Sequence, residues 1–288
     1  MPAYKRQHFL PAAYLKYFSL DQSNCSRDSW VWRLDKTGQR QVPVKSQCWN
    51  AYHYSKNDPA AAERGFHRFE KEYCGCVDKI RAGKDLKDSE YGSLLVNMFD
   101  FFIRNAIHKN STGREGIEAY KLRWGMFLQD MVLQRTAKVT PENVQSHIVR
   151  YWGLWIASAP QGRIFITSDH PSVWTCINDG HPGLHLLSLP LTPTHMAIAF
   201  DKRFLYVTGE PMSQDDCATF LDSQLHNAYL AAYSSTPLDA ANLDLVKKRF
   251  HDKEDPNDET DMRGWRMSLA SLPSQYHFSF MRLTPPLL

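Results

Sequence analysis

The run Ile164-Phe165-Ile166-Thr167-Ser168-Asp169-His170-Pro171 passes abruptly from apolar strand residues to three polar side chains and a proline turn. Strand ends of this kind hold reactive groups in place and expose them, which makes Ser168, Asp169 and His170 candidates. The same residues also read as an Asx-type turn that simply stops the strand. A second candidate is Glu70. Glu63, Phe66, Phe69, Glu70, Tyr73 and Val77 recur at three and four, which sets Glu63 and Glu70 beside the apolar face of a helix. A carboxylate there is either a buried functional acid or a boundary residue reaching solvent. The third is His8, in an apolar, aromatic-rich stretch from Lys5 to Ser19 where chain ends are usually frayed and polar. Arg104 and His108 are i and i+4 and would converge on one helix face.

These groups must be positioned by elements that are themselves legible. Pro11 to Phe18 reads as a short helix. Trp30–Leu34 and Gln41–Val44 flank a glycine turn as a hairpin, with Pro43 placing the second arm at an edge. The aromatic run from Cys48 to Lys56 reads as a loop. A helix is expected from Asp58-Pro59 to about Arg81, stopping at Gly83. A second begins at Lys87–Ser89 and carries Leu94, Leu95, Met98, Phe99, Phe102, Ile103 and Ile107. A third covers Glu115 to about Arg135, and a fourth Pro141 to Ser158. Short strand-like runs follow at Arg163–Thr167, Val173–Ile177, His185–Leu189, His195–Phe200 and Phe204–Val207. Pro190 to Pro193 punctuates them. Ser213 caps a helix reaching Ser234, Leu238–His251 is a further helix, and Gln275–Arg282 is a closing strand. The expectation is one α+β domain over 1–288. It has an N-terminal segment and hairpin (1–57), a helical block (58–158), and a mixed or antiparallel sheet with flanking helices (159–288).

Composition narrows the function classes. With 288 residues, 43% hydrophobic and 23% charged, the chain has the make-up of a soluble globular protein. The net charge of +3 does not by itself call for a polyanion. Yet the first fifty residues hold eight basic side chains against Asp21, Asp28 and Asp35, while 251–262 holds six acids and one lysine. These are a solvated face and loop, or, for the basic half, a surface facing phosphate. Cys74-Gly75-Cys76 has too short a spacing for a zinc pair, and free thiols in a cytoplasmic protein are expected. No signal peptide and no membrane span is read. Walker, dinucleotide, nucleophile-elbow, zinc-protease and EF-hand motifs are all absent from the sequence.

Two resemblances follow from these residues. Arg104-Asn105-Ala106-Ile107-His108 is similar to the Arg–polar–x₃–His pattern of a class of helical ribonucleases, with three residues between Arg and His where that motif has four or more. Gln7-His8-Phe9-Leu10-Pro11 with Tyr14-Leu15-Lys16-Tyr17-Phe18-Ser19 resembles the N-terminal signature of the bacterial proteins grouped as domain of unknown function 4238. Trp32-x-Leu34-Asp35, the Asn50–Tyr54 loop, Glu63 with Glu70, the Thr167–Pro171 turn, Pro190–Pro193 and Leu225-His226-Asn227 look like the same family, over about residues 5 to 235. Where such proteins end the second long helix in an arginine-rich run, this chain has Arg104-Asn105-Ala106-Ile107-His108-Lys109. The resemblance implies a shared fold and a shared site of His8, Glu70, Ser168 and Asp169, but no reaction.

Three functional expectations stand side by side. The first is a phosphodiester-cleaving, nuclease-like enzyme of defence or toxin type. His8, Glu70, Asp169 and Ser168 would be catalytic, Arg104, His108 and His170 ligand-binding, and nucleic acid would lie along the basic N-terminal region. Mg²⁺ or Mn²⁺ is the metal such acids would hold. The second is a non-catalytic module binding a small ligand or protein partner in an aromatic pocket that includes Trp30, Trp32, Trp49, Tyr52 and Tyr54. The third is a buried network of His8, Glu70 and Asp169 pinning the N-terminus, with Phe9, Tyr14 and Phe18 as anchors and His8 facing Glu70 or Asp169.

Overall fold

In the computed structural model, which describes residues 6–51, 59–104, 124, 144–177, 185–251, 269–272 and 278–283, helices and largely antiparallel sheets form an α+β fold. Strand β1 (Arg6–His8) leads into helix α1 (Ala12–Leu15), which tightens into a 3₁₀ turn over Lys16–Phe18. The expected hairpin is present as β2 (Trp30–Asp35) and β3 (Gly38–Pro43), with Gly38 at φ +119° closing the turn. Pro43 lies on an edge strand, where its missing N–H leaves no ladder bond unmade. The Cys48–Lys56 stretch is not all loop: β4 (Trp49–Ala51) pairs antiparallel with β1 and sets His8 opposite Trp49. A three-residue strand is too short to carry a periodic signal of its own.

Two long helices follow. Helix α2 (Pro59–Arg81) ends before Gly83, which takes φ +63°, and α3 (Asp88–Ile103) is capped by Glu90 reaching back to the Lys87 N–H. Asp58, Ile107 and, apart from the helical Trp124, the expected helix over 115–135 lie outside the described residues. The expected fourth helix over 141–158 needs correction. Helix α4 (Val144–Tyr151) stops, and β5 (Trp152–Ser158) continues as a strand paired with β9 (His195–Asp201) over seven residues. The reason is tertiary pairing: Gly153 lies opposite Phe200, whose ring would come within 2.4 Å of a Cβ there. The glycine admits the ring, and a helix at this point would forfeit the whole ladder.

Strands β7 (Val173–Ile177) and β8 (His185–Thr192) complete the centre of a five-stranded sheet ordered β12-β7-β8-β9-β5, with β12 at Leu269–Leu272 running parallel to β7. Pro190 lies inside β8, not after it, beside a register shift that spares it a ladder bond. Of Arg163–Thr167 only Thr167–Ser168 is strand (β6), because the Phe165 N–H is taken by the Pro193 carbonyl at 2.8 Å. Beyond β10 (Leu205–Val207), helix α5 (Gln214–Asn227) starts on a Ser213–Asp216 capping box and stops short of the expected Ser234. Ala228 turns extended, and β11 (Ala232–Ser234) inserts between β2 and β6 in a four-stranded sheet. Helix α6 (Ala240–His251) and β13 (Met281–Leu283), which pairs with β10, close the chain.

One apolar cluster joins the N-terminal stretch, α2, α3 and one face of the large sheet, from Phe9 and Tyr14 through Phe99 and Phe102 to Trp174 and Leu187. The sheet's other face packs Leu186, Ile198 and Phe200 against Phe220, Phe278 and Phe280. Among the described residues no helix is long and apolar enough to cross a membrane.

Candidate functional site

The opening stretch is pinned by its rings. Phe9, Tyr14 and Phe18 are buried, as are Leu15 and Tyr17, and each such side chain contributes roughly 1.5–3 kcal/mol by leaving water. The Tyr14 hydroxyl donates to the Pro190 carbonyl at 2.7 Å and lies 2.6 Å from the Thr167 hydroxyl. Tyr17 donates from its hydroxyl toward Asp78 of α2 at 2.9 Å. Burial pushes both phenols up from their ordinary values, so each stays a protonated donor. The stretch is thereby clamped between the β half and α2, and His8 arrives beside Phe66, His67 and Glu70 of α2 in a fixed register with Trp49.

There the structure brings together His8, Glu70 and Arg104. Arg104 caps the C-terminus of α3, donating its N–H to the Asp100 carbonyl at 2.8 Å, and its guanidinium is 2% exposed. One guanidinium nitrogen faces Asp100 Oδ2 and the other faces both Glu70 Oε1 and the His8 carbonyl, each at 3.4 Å. The group lies 4.1 Å over the Phe66 ring. Asp100 is 1% exposed and the Glu70 side chain 24%, so Glu70 is the carboxylate that solvent reaches. Helical spacing explains the arrangement: Phe66, His67 and Glu70 share one face of α2, and Asp100 and Arg104 are i and i+4 on α3. His8, Phe66, His67, Glu70 and Arg104 line a small polar cavity of about 70 Å³ together with Arg27, whose chain segment precedes the hairpin. Arg104 is the hub of this geometry, facing Asp100, Glu70 and the His8 carbonyl at once.

Arg27, Phe66 and His67 were not singled out as site residues. Phe66 and His67 had a readable signal in their spacing to Glu70, whereas Arg27 reaches the cavity only through long-range packing. His108 and Tyr54 lie outside the described residues, as do Tyr52 and the side chain of Glu63. Trp32 is half-buried on β2 between Gln41 and Ser234, away from the residues that line this cavity.

Ser168, Asp169 and His170 form a second cluster, and none of them lines the cavity. Asp169 is 2% exposed and accepts the Tyr229 N–H at 2.8 Å and the Leu230 N–H at 2.6 Å. Ser168 Oγ accepts the His170 N–H at 3.2 Å and sits 3.1 Å from Gln224 Oε1. Gln224 and Asn227 of α5 donate to the Pro171 and His170 carbonyls at 2.6 and 2.7 Å. The His170 ring stacks on Tyr229 with planes 5° apart. The turn reading of these residues is therefore what their hydrogen bonds display: they fasten α5 and the following loop to the end of β6. Cys48, which holds φ +54°, ties the N-terminal stretch to β11: its carbonyl accepts the Phe9 N–H at 3.1 Å. Its thiol, 3.2 Å from the Tyr233 hydroxyl, is pushed up by burial and by the Asp169 charge, which makes it a poor nucleophile.

Among the described residues no group of three His, Cys, Asp or Glu side chains could hold a metal ion. The Cys74 and Cys76 thiols point to different partners, the Ala13 and Glu90 carbonyls, and Cys25, Cys48, Cys74, Cys76 and Cys217 are free thiols. What the cavity does offer is two guanidiniums for an oxyanion, and a carboxylate and two imidazoles that can move protons.

No curated protein and no solved structure matches the chain. The family model described as protein of unknown function (DUF4238) matches residues 6–236, a span that takes in every residue of both clusters. On that match the chain belongs to the DUF4238 family.

Proposed function

We propose that this protein is a phosphodiester-cleaving, nuclease-like enzyme with the cavity of His8, Glu70 and Arg104 as its reacting centre. The observation that carries the reading is the convergence on one cavity of Glu70, two imidazoles and two guanidiniums. Arg104 and Arg27 would bind the phosphoryl oxygens, Arg104 held rigid by Asp100 and Phe66. Glu70 and a histidine, His8 or His67, would carry the proton transfers. Ser168 and Asp169 serve the reading as scaffold, fixing the region against which the N-terminal stretch docks.

The test is incubation of the full chain with RNA and DNA, in Mg²⁺, in Mn²⁺ and in EDTA. Glu70→Gln should lower the cleavage rate by about 10²–10⁴-fold with little change in melting temperature. If no substrate is cut, or if cutting survives Glu70→Gln combined with loss of both histidines, the proposal is wrong. A toxin role adds a second readout, growth arrest on expression that Glu70→Gln relieves.

One observation favours the alternative, a non-catalytic binding module. Leu20, Asp21, Ser29 and Gln41 surround Trp30, which is 49% exposed, in an open groove of about 310 Å³. An exposed indole with amide and carboxylate neighbours suits a small polar ligand or a peptide.

A further inference from the structure

The chemistry of the cavity narrows the substrate beyond phosphodiesters in general, an inference that rests on the nuclease reading. We infer that the bond cleaved is that of RNA, and that the attacking group is the RNA's own 2′-hydroxyl and not an activated water.

Three observations lead there. First, the cavity of about 70 Å³ is lined mainly by guanidinium, carboxylate and imidazole side chains, and its phenyl ring, Phe66, is already covered by the Arg104 guanidinium. That lining suits a phosphoryl group and offers no bare ring for a nucleobase to stack on, so the cavity engages backbone and leaves base identity unread. Second, the charge that a metal would supply in hydrolysis is already present as two guanidiniums. Of these, the Arg104 group is 2% exposed and fixed by Glu70, Asp100 and Phe66. Activating water for attack on DNA commonly calls on metal ions to make hydroxide and stabilise the leaving oxygen. The described residues gather no three-ligand set for such an ion. Third, the remaining groups among the described lining residues are the Glu70 carboxylate and two histidines, which is a base and an acid with no water-positioning requirement. A neighbouring 2′-hydroxyl brings its own proximity, which in favourable geometry is equivalent to an effective molarity of about 10⁵–10⁸ M.

The step balances without a co-reactant. The Glu70 carboxylate takes the 2′-hydroxyl proton as the 2′-oxygen forms its bond to phosphorus. The bond from phosphorus to the 5′-oxygen breaks, and that oxygen takes a proton from the imidazolium of His67 or His8. Arg104 and Arg27 hold the two non-bridging oxygens while charge builds on them. The products are a 2′,3′-cyclic phosphate end and a 5′-hydroxyl end. Glu70 and the histidine return to their starting states by exchanging protons with solvent.

The experiment presents the full chain, in EDTA and separately in Mg²⁺, with three oligonucleotides of one sequence: RNA, DNA, and RNA 2′-O-methylated throughout. The inference expects RNA alone to be cut, in EDTA as well as in Mg²⁺, with cyclic-phosphate ends found by mass spectrometry. It also expects His67→Gln or His8→Gln to lose one limb of a bell-shaped pH profile, with circular dichroism unchanged. His67 is exposed, so its variant should fold even if the His8 variant does not. Cutting of DNA or of the methylated strand overturns the inference. So does cutting of RNA to 5′-phosphate ends or only with metal. In each of these cases the phosphodiesterase reading stays in place. Failure to cut any of the three overturns both.

Discussion

Replacing Arg104 by methionine would separate what the cavity holds up from what it can do. The guanidinium is 2% exposed and makes three contacts at 3.4 Å, to Asp100, Glu70 and the His8 carbonyl. At that length each sits at the low end of the ~0.5–1.5 kcal/mol typical of a net hydrogen bond. The larger effect is electrostatic: Asp100, 1% exposed, would keep its charge and lose its guanidinium. Breaking a buried ion pair from one side costs about 3–5 kcal/mol. Methionine retains much of the aliphatic volume against Phe66, so little of that loss is packing. Urea unfolding of wild type and variant, read as the shift in midpoint at constant slope, should show a loss of about 3–5 kcal/mol. A second variant, Arg104→Met with Asp100→Asn, should recover part of it, because no buried carboxylate then faces the lost guanidinium. Glu70→Gln, at 24% exposure, should cost about 1 kcal/mol or less. If Arg104→Met costs less than about 1 kcal/mol, or if the double variant is no more stable than the single one, the buried-charge argument fails.

Three other perturbations test the frame that carries the cavity. Tyr14→Phe removes the hydroxyl that joins the Pro190 carbonyl and Thr167, and should cost about 1–3 kcal/mol in urea unfolding; an unchanged midpoint would show that the stretch is not clamped there. Gly153→Ala drives a Cβ to 2.4 Å from the Phe200 ring and should cost about 1–3 kcal/mol, relieved by Phe200→Leu in the same chain. His185, whose value is lowered by burial despite the opposing pull of Asp201, accepts the Trp174 indole N–H on Nδ1 at 3.2 Å and must stay neutral to do so. Its folded-state value lies below the unfolded one near 6.5, so its contribution is fully present above that pH. That contribution falls away as pH drops through about 6.5 towards the folded-state value. The melting temperature should therefore decline between pH 7.5 and 5.5 by less in His185→Gln than in wild type, and equal declines would reject the assignment.

How much of this was legible in the sequence depends on the range of the interaction. Helix α2 ends at Arg81 before Gly83 as its capping signals imply, because those signals act over a few residues. The face shared by Phe66 and Glu70 follows from a period of 3.6 for the same reason. The strand at Trp152–Ser158 was not legible, since a short apolar run fits a helix as well as a strand until a partner ladder is known. The same limit applies to the site. Ser168, Asp169 and His170 have the look of a reactive strand end, but the groups that engage them, from Gln224 to Leu230, lie more than fifty residues away and turn them into a fastening. Arg104 shows the reverse. Its local context marks only a helix face shared with His108, and its part emerges only when α2, α3 and the N-terminal strand meet around one guanidinium. A side chain's type and helical face are local properties, whereas the partner that turns a carboxylate into a base or a brace is not. That is why Glu70 and Asp169, which read alike in the sequence, part company in the fold: one opens onto a cavity beside an arginine, and the other is spent on two backbone N–H groups.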